Sequence, residues 1–433
     1  MDLTAITILI TMLLFVFFIA GVGIGISMAL AGFLGFAIVV NPQAAFNLVA
    51  NDTYTIFSSY GFTVIPLFVL MGQIGVSAGM AKGLYDAGYK FIGHFPGGLA
   101  IGTVMAGVAF KTICGSAAAT AATFSTVAIP EMDRYRYDKR LSCGTVAVVG
   151  TLGSIIPPSV TLIIYALITQ LSIGRMFLAG IIPGLMIALS FIVTLLIWCK
   201  INPSIGPKGE RSTWKQRFTS LAPVAWVVTI FVVVVGGLLL GIFTPTEAGS
   251  VGSLAVLLLA VIKREISLKG FIKSLLESLQ ISCMVFILLA GATILGRFYA
   301  VTKTPFILGQ WLSSLPVYPS ILIIIIIITL LLGGSFVEDL AFMILIIPIV
   351  LPTVLRLGYD PVWFGVITLI TVMIGAIIPP MAMGAFVVTG ITKVPLGTVY
   401  KGIYPFLAGM SVVLLILVFF PEISLWLPKL LMK

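Results

Sequence analysis

Apolar runs of about 20 residues, the length that crosses a bilayer as a helix, alternate along this chain with short polar loops. They fall near residues 3–20, 24–40, 54–79, 138–170, 176–200, 219–241, 248–262, 280–300, 361–391 and 403–421, which predicts ten crossings. Two further apolar stretches, 97–130 and 318–355, carry small and polar residues at their centres: Cys114-Gly115-Ser116-Ala117 and Gly333-Gly334-Ser335-Phe336. Each reads as a re-entrant hairpin that dips to mid-membrane and returns to the same side. Residues 263–280 alternate basic positions with Ile, Leu and Phe at helical spacing, which predicts an interfacial arm helix. Thr244-Pro245-Thr246-Glu247 has capping-box spacing with proline at the first helical position, so it opens the span that follows.

Two of the predicted crossings contain a sequence that no continuous helix holds. Gly153-Ser154-Ile155-Ile156-Pro157-Pro158-Ser159 interrupts 138–170, and Gly375-Ala376-Ile377-Ile378-Pro379-Pro380-Met381 interrupts 361–391. Proline has no N–H to return to the carbonyl four residues back, so the first pair orphans the carbonyls of Gly153 and Ser154 and the second those of Gly375 and Ala376. At bilayer depth such carbonyls are tolerated where they line a cavity or a bound cation, so each broken helix reads as half of a cation site. A plain kink in a packed helix is the competing explanation, and it does not account for the recurrence.

The recurrence extends to the whole chain. Ser116 precedes Pro157 by 41 positions and Ser335 precedes Pro379 by 44; Pro96 lies 20 before the first tip and Pro316 lies 19 before the second. Residues 1–200 and 219–433 therefore have one order of parts: crossings, a short arm, a hairpin, a broken helix and a final crossing. With five crossings per half, the second half lies upside down relative to the first, joined by the polar connector 201–218. The predicted fold is an all-α polytopic membrane protein built as an inverted repeat, with two re-entrant hairpins and two broken helices, an architecture typical of secondary transporters.

Composition agrees and adds orientation. The chain of 433 residues is 60% apolar and 9% charged, and basic residues exceed acidic ones by ten. With the N-terminus outside, seventeen of the twenty-four basic residues fall in inside loops, so the positive-inside bias predicts both termini outside and nucleic acid is no partner. The N-terminus has no basic leader region and reads as a retained first span. The four cysteines form no C-x-x-C pair.

The candidate sites follow from the breaks and the tips. The first groups Ser116 with Gly153 and Ser154, with Ile156 and Pro157 beside them. The second groups Gly334 and Asp339 with Gly375, Ala376 and Ile378. Asp339 is the sharpest single residue, because a carboxylate in an apolar hairpin costs about 2.5–3.5 kcal/mol on insertion scales and so pairs with a cation or faces water; a salt bridge to Lys or Arg is the alternative. Glu338 points elsewhere on the helix, toward an aqueous cavity. Lys111 and Arg297, the two basic residues within apolar runs, are candidate contacts for an anionic substrate, with snorkelling as the competitor. Ser116, Ser159, Ser335 and Thr389 are hydroxyl candidates for substrate binding. His94, the only histidine, reads as interfacial.

At these residues the sequence resembles a known family. Cys114-Gly115-Ser116-Ala117-Ala118-Ala119-Thr120-Ala121-Ala122-Thr123 through Ile129-Pro130-Glu131-Met132 is similar to the large membrane subunit of tripartite ATP-independent periplasmic (TRAP) transporters. So are Gly150-Thr151-Leu152-Gly153-Ser154-Ile155-Ile156-Pro157-Pro158-Ser159, Ala179-Gly180-Ile181-Ile182-Pro183-Gly184 and Gly241-Ile242-Phe243-Thr244-Pro245-Thr246-Glu247-Ala248. The resemblance implies a secondary importer of the bacterial inner membrane, driven by about two or more sodium ions and working as an elevator. It implies a small four-helix membrane subunit and a periplasmic substrate-binding protein as partners, an organic anion as substrate and no organic cofactor. The wording around Phe110-Lys111-Thr112-Ile113 and Glu131-Met132-Asp133-Arg134-Tyr135 resembles the sialic acid branch; a C4-dicarboxylate permease is the alternative. An enzyme is disfavoured by the lack of H-E-x-x-H and G-x-S-x-G, and a primary pump by the lack of a phosphate loop. A permease borrowing an ATPase from another chain, and a channel, are the readings of another class.

Overall fold

The computed structural model describes residues 2–314, 317–380 and 382–432. Pro316, used above for the hairpin spacing, and Met381, at the end of the second break, lie outside these residues. Among the described residues every regular element is a helix. Among the described residues seven helices are long and apolar enough to cross a membrane: Tyr60–Ser77, Ile173–Ile201, Trp214–Leu239, Pro245–Ile262, Leu268–Val301, Asp339–Arg356 and Leu396–Phe419. Leu3–Ile19 and Ile24–Val39 are apolar but shorter.

Three stretches differ from the sequence reading. The crossing expected over 54–79 starts at Tyr60, because an amphipathic helix, Pro42–Ser58, takes the first residues and ends at the extended Ser59. Residues 263–280 are not a separate arm: Leu268–Val301 is one helix of 34 residues, with no proline to end it anywhere along its length. At 1.5 Å per residue it is about 51 Å long, and Lys269 and Lys273 sit in its opening turns. Asp339–Arg356, expected as one limb of a hairpin, is itself 18 residues long. The capping box at Thr244 and Glu247 forms as its spacing demands, with Thr244 N–H donating to the Glu247 carboxylate at 2.8 Å and Glu247 N–H to the Thr244 hydroxyl at 3.3 Å.

The two hairpins are Gly98–Lys111 with Ala117–Arg134, and Pro319–Gly334 with Asp339–Arg356. The broken helices are Lys139–Thr151 with Val160–Thr169, and Pro361–Gly375 with Met383–Thr392. The Pro157–Pro158 and Pro379–Pro380 peptide bonds are cis. Hairpins and broken helices pack together with Ile173–Ile201 and Leu396–Phe419, and the halves interlock: Met383–Thr392 lies on Ala117–Arg134 and Lys139–Thr151. Gly144 and Gly402 bring the backbones of their two helices into direct contact, where an added Cβ would strike main chain; small residues are what allow so close a crossing.

A second group of helices stands against this one. Ile24–Val39 packs along Leu268–Val301, and a Cβ on Gly291 would land on the Gly25 carbonyl. Leu268–Val301 is in turn stitched to Val64–Ser77 by Ser274, whose hydroxyl lies 3.1 Å from the Gln73 carbonyl and 2.7 Å from the Ser77 hydroxyl. Between the two groups lies a cavity.

Candidate functional site

The cavity has a volume of about 460 Å³, within the range of small-molecule sites. One wall is built by Val69, Gly72 and Gln73 of Val64–Ser77 and by Ile281 and Met284 of Leu268–Val301. The other is built by both hairpin tips, Cys114 to Ala118 and Glu338 to Leu340, and by both breaks, through Thr151, Ser154, Met373 and Ala376. The first Gly-Ser tip, the residues just past the second tip and the residues flanking both Pro-Pro breaks thus meet at one cavity.

The opening residues of four helices border it. Ala117 and Ala118, Val160 and Thr161, Asp339 and Leu340, and Met383 and Gly384 are the first two residues of their helices, and all eight line the cavity. Helix N-termini present unpaired N–H groups and a partial positive charge. Ser116 and Ser159 cap two of these ends, accepting from Ala119 N–H at 3.2 Å and Leu162 N–H at 3.4 Å. No lysine or arginine lines the cavity among the described residues.

Asp339 joins the halves. The Ser154 hydroxyl of the first break donates to Asp339 Oδ2 at 3.0 Å, while Oδ1 accepts Leu340 N–H at 3.0 Å. Neither Asp339 nor Glu338 takes part in any of the ion pairs found among the described residues. The salt-bridge alternative for Asp339 therefore finds no support. At the second break the orphan account is only half right, because the Gly375 carbonyl accepts Ile378 N–H at 3.0 Å. Gly334 and Gly375 face one another, so the tip and the break touch through backbone.

The first break is differently occupied. The Ser154 carbonyl accepts the Ser159 hydroxyl at 3.0 Å. The Ser116 carbonyl accepts the Thr120 hydroxyl at 2.9 Å and the Lys111 ammonium at 2.8 Å. Lys111 is fully buried and does not line the cavity. A Cβ on Gly153 would collide with the end of its side chain. Ile156 and Pro157 are buried behind the break, away from the cavity lining.

Most of the expected substrate contacts lie elsewhere. Ser335 donates to its own chain at Leu332 O, 2.7 Å away, and Thr389 Oγ1 is buried without a partner outside the cavity. Arg297 is paired with Asp52 at 3.2 Å on the flank of the molecule, its side chain 60% exposed. An exposed pair of this kind contributes about 0–1 kcal/mol, so Arg297→Ala is expected to leave both uptake and the melting temperature close to wild type; a severalfold loss of uptake would restore it as a substrate contact. His94 lies against Phe95 in a tilted arrangement with ring centroids 4.1 Å apart, and partial desolvation together with Arg217 and Arg211 holds its imidazole below the usual range. Sequence reasoning missed Gln73, Thr151 and Thr161 in the lining. For Gln73 a signal existed, since it is the only amide within its apolar span.

Comparison with known proteins adds a family to this geometry. Residues 11–423 match the tripartite ATP-independent periplasmic transporter, DctM component. The C4-dicarboxylate TRAP transporter large permease protein DctM of Pseudomonas aeruginosa is 33% identical over 371 residues, covering 86% of each chain. The sialic acid TRAP transporter large permease protein SiaM of Vibrio cholerae is 32% identical, covering 95% of this chain and 96% of that one. The isethionate TRAP transporter permease protein DctMQ of Oleidesulfovibrio alaskensis is 31% identical and is the longer chain, 64% covered. Among solved structures, the YdaH transporter of Alcanivorax borkumensis shares the fold, with a TM-score of 0.54 at 14% identity over 89% of this chain and 90% of that one.

Proposed function

The chain belongs to the DctM component family of tripartite ATP-independent periplasmic transporters, and from that premise we propose that it is the permease of a sodium-coupled, binding-protein-dependent importer of an organic anion. The convergence of four helix N-termini on one cavity carries this reading. With no basic side chain in the lining, these ends and a bound cation are what would neutralise a carboxylate. Asp339, a carboxylate with the Ser154 hydroxyl as donor and no ion-pair partner among the described residues, fits a sodium ion held between the second tip and the first break. The sodium ion is cargo here, entering with the substrate.

Sialic acid is the substrate proposed, because the polar lining, besides the carboxylates Glu338 and Asp339, offers hydroxyls and an amide from Ser116, Thr151, Ser154, Thr161 and Gln73, which suit a hydroxylated acid. A C4-dicarboxylate is the second reading, favoured by the Pseudomonas relative. The cavity lies between two helix groups, one holding the tips and breaks and the other the long helix, and that arrangement suits an elevator in which the first slides against the second. A small membrane subunit and a periplasmic binding protein complete the transporter, in the bacterial inner membrane with both termini periplasmic, and the chain itself performs no chemical conversion.

Uptake of labelled sialic acid into proteoliposomes holding this chain and its small partner tests the reading. Uptake that needs both an inward sodium gradient and the binding protein is the expected result. Sodium-dependent uptake of a dicarboxylate alone moves the substrate and keeps the mechanism; uptake indifferent to sodium overturns the coupling.

A further inference from the structure

The two breaks are alike in sequence, but the hairpins beside them carry opposite charges, Lys111 in the first and Asp339 in the second. The second tip carries a carboxylate, Asp339, which accepts from the Ser154 hydroxyl of the first break. The first tip brings an ammonium, Lys111, five residues before Ser116; the position five before Ser335 is Leu330, buried and uncharged. The Lys111 amine donates to the Ser116 carbonyl at 2.8 Å and its chain end lies against the bare Cα of Gly153. Two helices end there. Lys111 closes Gly98–Lys111, and Gly153 lies in the turn that closes Lys139–Thr151. Helix C-termini carry partial negative charge, and in a discontinuous membrane helix they are where a cation settles.

We propose that the Lys111 ammonium is the resident cation of the first break, standing where a sodium ion would otherwise be held, so that this half of the transporter has no sodium site of its own. The donor set agrees. Ser116 O already takes the ammonium and the Thr120 hydroxyl, Ser116 Oγ is spent on the cap of Ala119, and Ser154 O takes the Ser159 hydroxyl. Fully buried within an apolar hairpin, a charge of this kind is retained where it meets such partners. In coupling terms, the tethered charge travels with the protein and is never released, which removes one ion from the count carried per substrate.

This inference rests on the sodium-coupled reading for its meaning, but its test does not depend on uptake. Lys111→Met keeps an unbranched chain of similar length and removes the charge. The comparison is made in an Asp339→Asn background, which silences the second site. The full-length chain is purified in detergent, and its melting temperature is measured in sodium chloride and in choline chloride at equal ionic strength. The double variant is expected to melt higher in sodium by about 3 °C or more, as a newly opened ion site requires, while Asp339→Asn alone shows no sodium-specific shift. A double variant that is equally stable, or equally unrecoverable, in the two salts overturns the proposal. If wild-type uptake proves indifferent to sodium, the coupling reading falls, and the melting comparison still decides what Lys111 replaces.

Discussion

In proteoliposomes, Asp339→Asn is expected to raise the half-saturating sodium concentration by about a hundredfold or more. Stripping a buried charge of its partner costs about 3–5 kcal/mol, and each 1.4 kcal/mol is about a factor of ten. Asparagine has the same shape and keeps a carbonyl oxygen for the Ser154 hydroxyl, now 3.0 Å from the carboxylate. The contact between the halves therefore survives and the loss falls on the ion. A sodium titration of uptake reads the effect, with the melting temperature in choline as the control for folding. Sodium activation unchanged in this variant would remove Asp339 from the site.

The second large effect is expected from Gly375→Val. A Cβ at position 375 would lie 2.8 Å from the Leu331 carbonyl oxygen and 2.9 Å from the Gly334 carbonyl carbon, both backbone atoms that cannot rotate away. Forcing bulk into such a contact costs about 1–3 kcal/mol. The cost is met by pushing the second tip off the second break, so uptake should fall by more than tenfold along with the melting temperature. Gly390→Ala is the companion measurement, because a Cβ there meets nothing within 4 Å. Its position within the helix Met383–Thr392 makes it neutral or slightly stabilising. Activity in Gly375→Val equal to that in Gly390→Ala would show that the tip and the break need not touch.

Much of this site was legible in the residues. Proline pairs and glycine–serine tips act through local backbone rules, so both breaks and both tips could be read without knowing what packs beside them. What was not legible depends on neighbours far off in sequence. Nothing near Arg297 announces Asp52, 245 positions away, as its partner. Nothing near Ser154 announces Asp339, 185 positions away. Lys111 was read as facing substrate because its residue type suits an anion; that its amine turns back to the Ser116 carbonyl is set by the path of the tip. The Gly375 carbonyl was counted as free because only the helical bond to the residue four on was considered, and the chain closed a tighter turn with Ile378. Residues 263–280 read as a helix of their own from basic and apolar positions alternating at helical spacing, but basic residues are good helix formers and do not end a helix, so most of that pattern opens the longer Leu268–Val301.

The helix Leu268–Val301 has a consequence for the lipid around it. At about 51 Å it exceeds the hydrocarbon thickness of about 30 Å by more than the usual tilt of up to about 40° can absorb. One end must therefore stand in the headgroups, and the end that carries Lys269, Lys273 and Glu277 is suited to do so. Ile281 and Met284 lie about one and two turns beyond Glu277 and form part of the cavity wall. That wall is thus held at a set depth below a charged anchor. Hydrophobic mismatch becomes a variable of transport: a thicker or thinner bilayer would shift the depth at which Ile281 and Met284 meet the rest of the cavity.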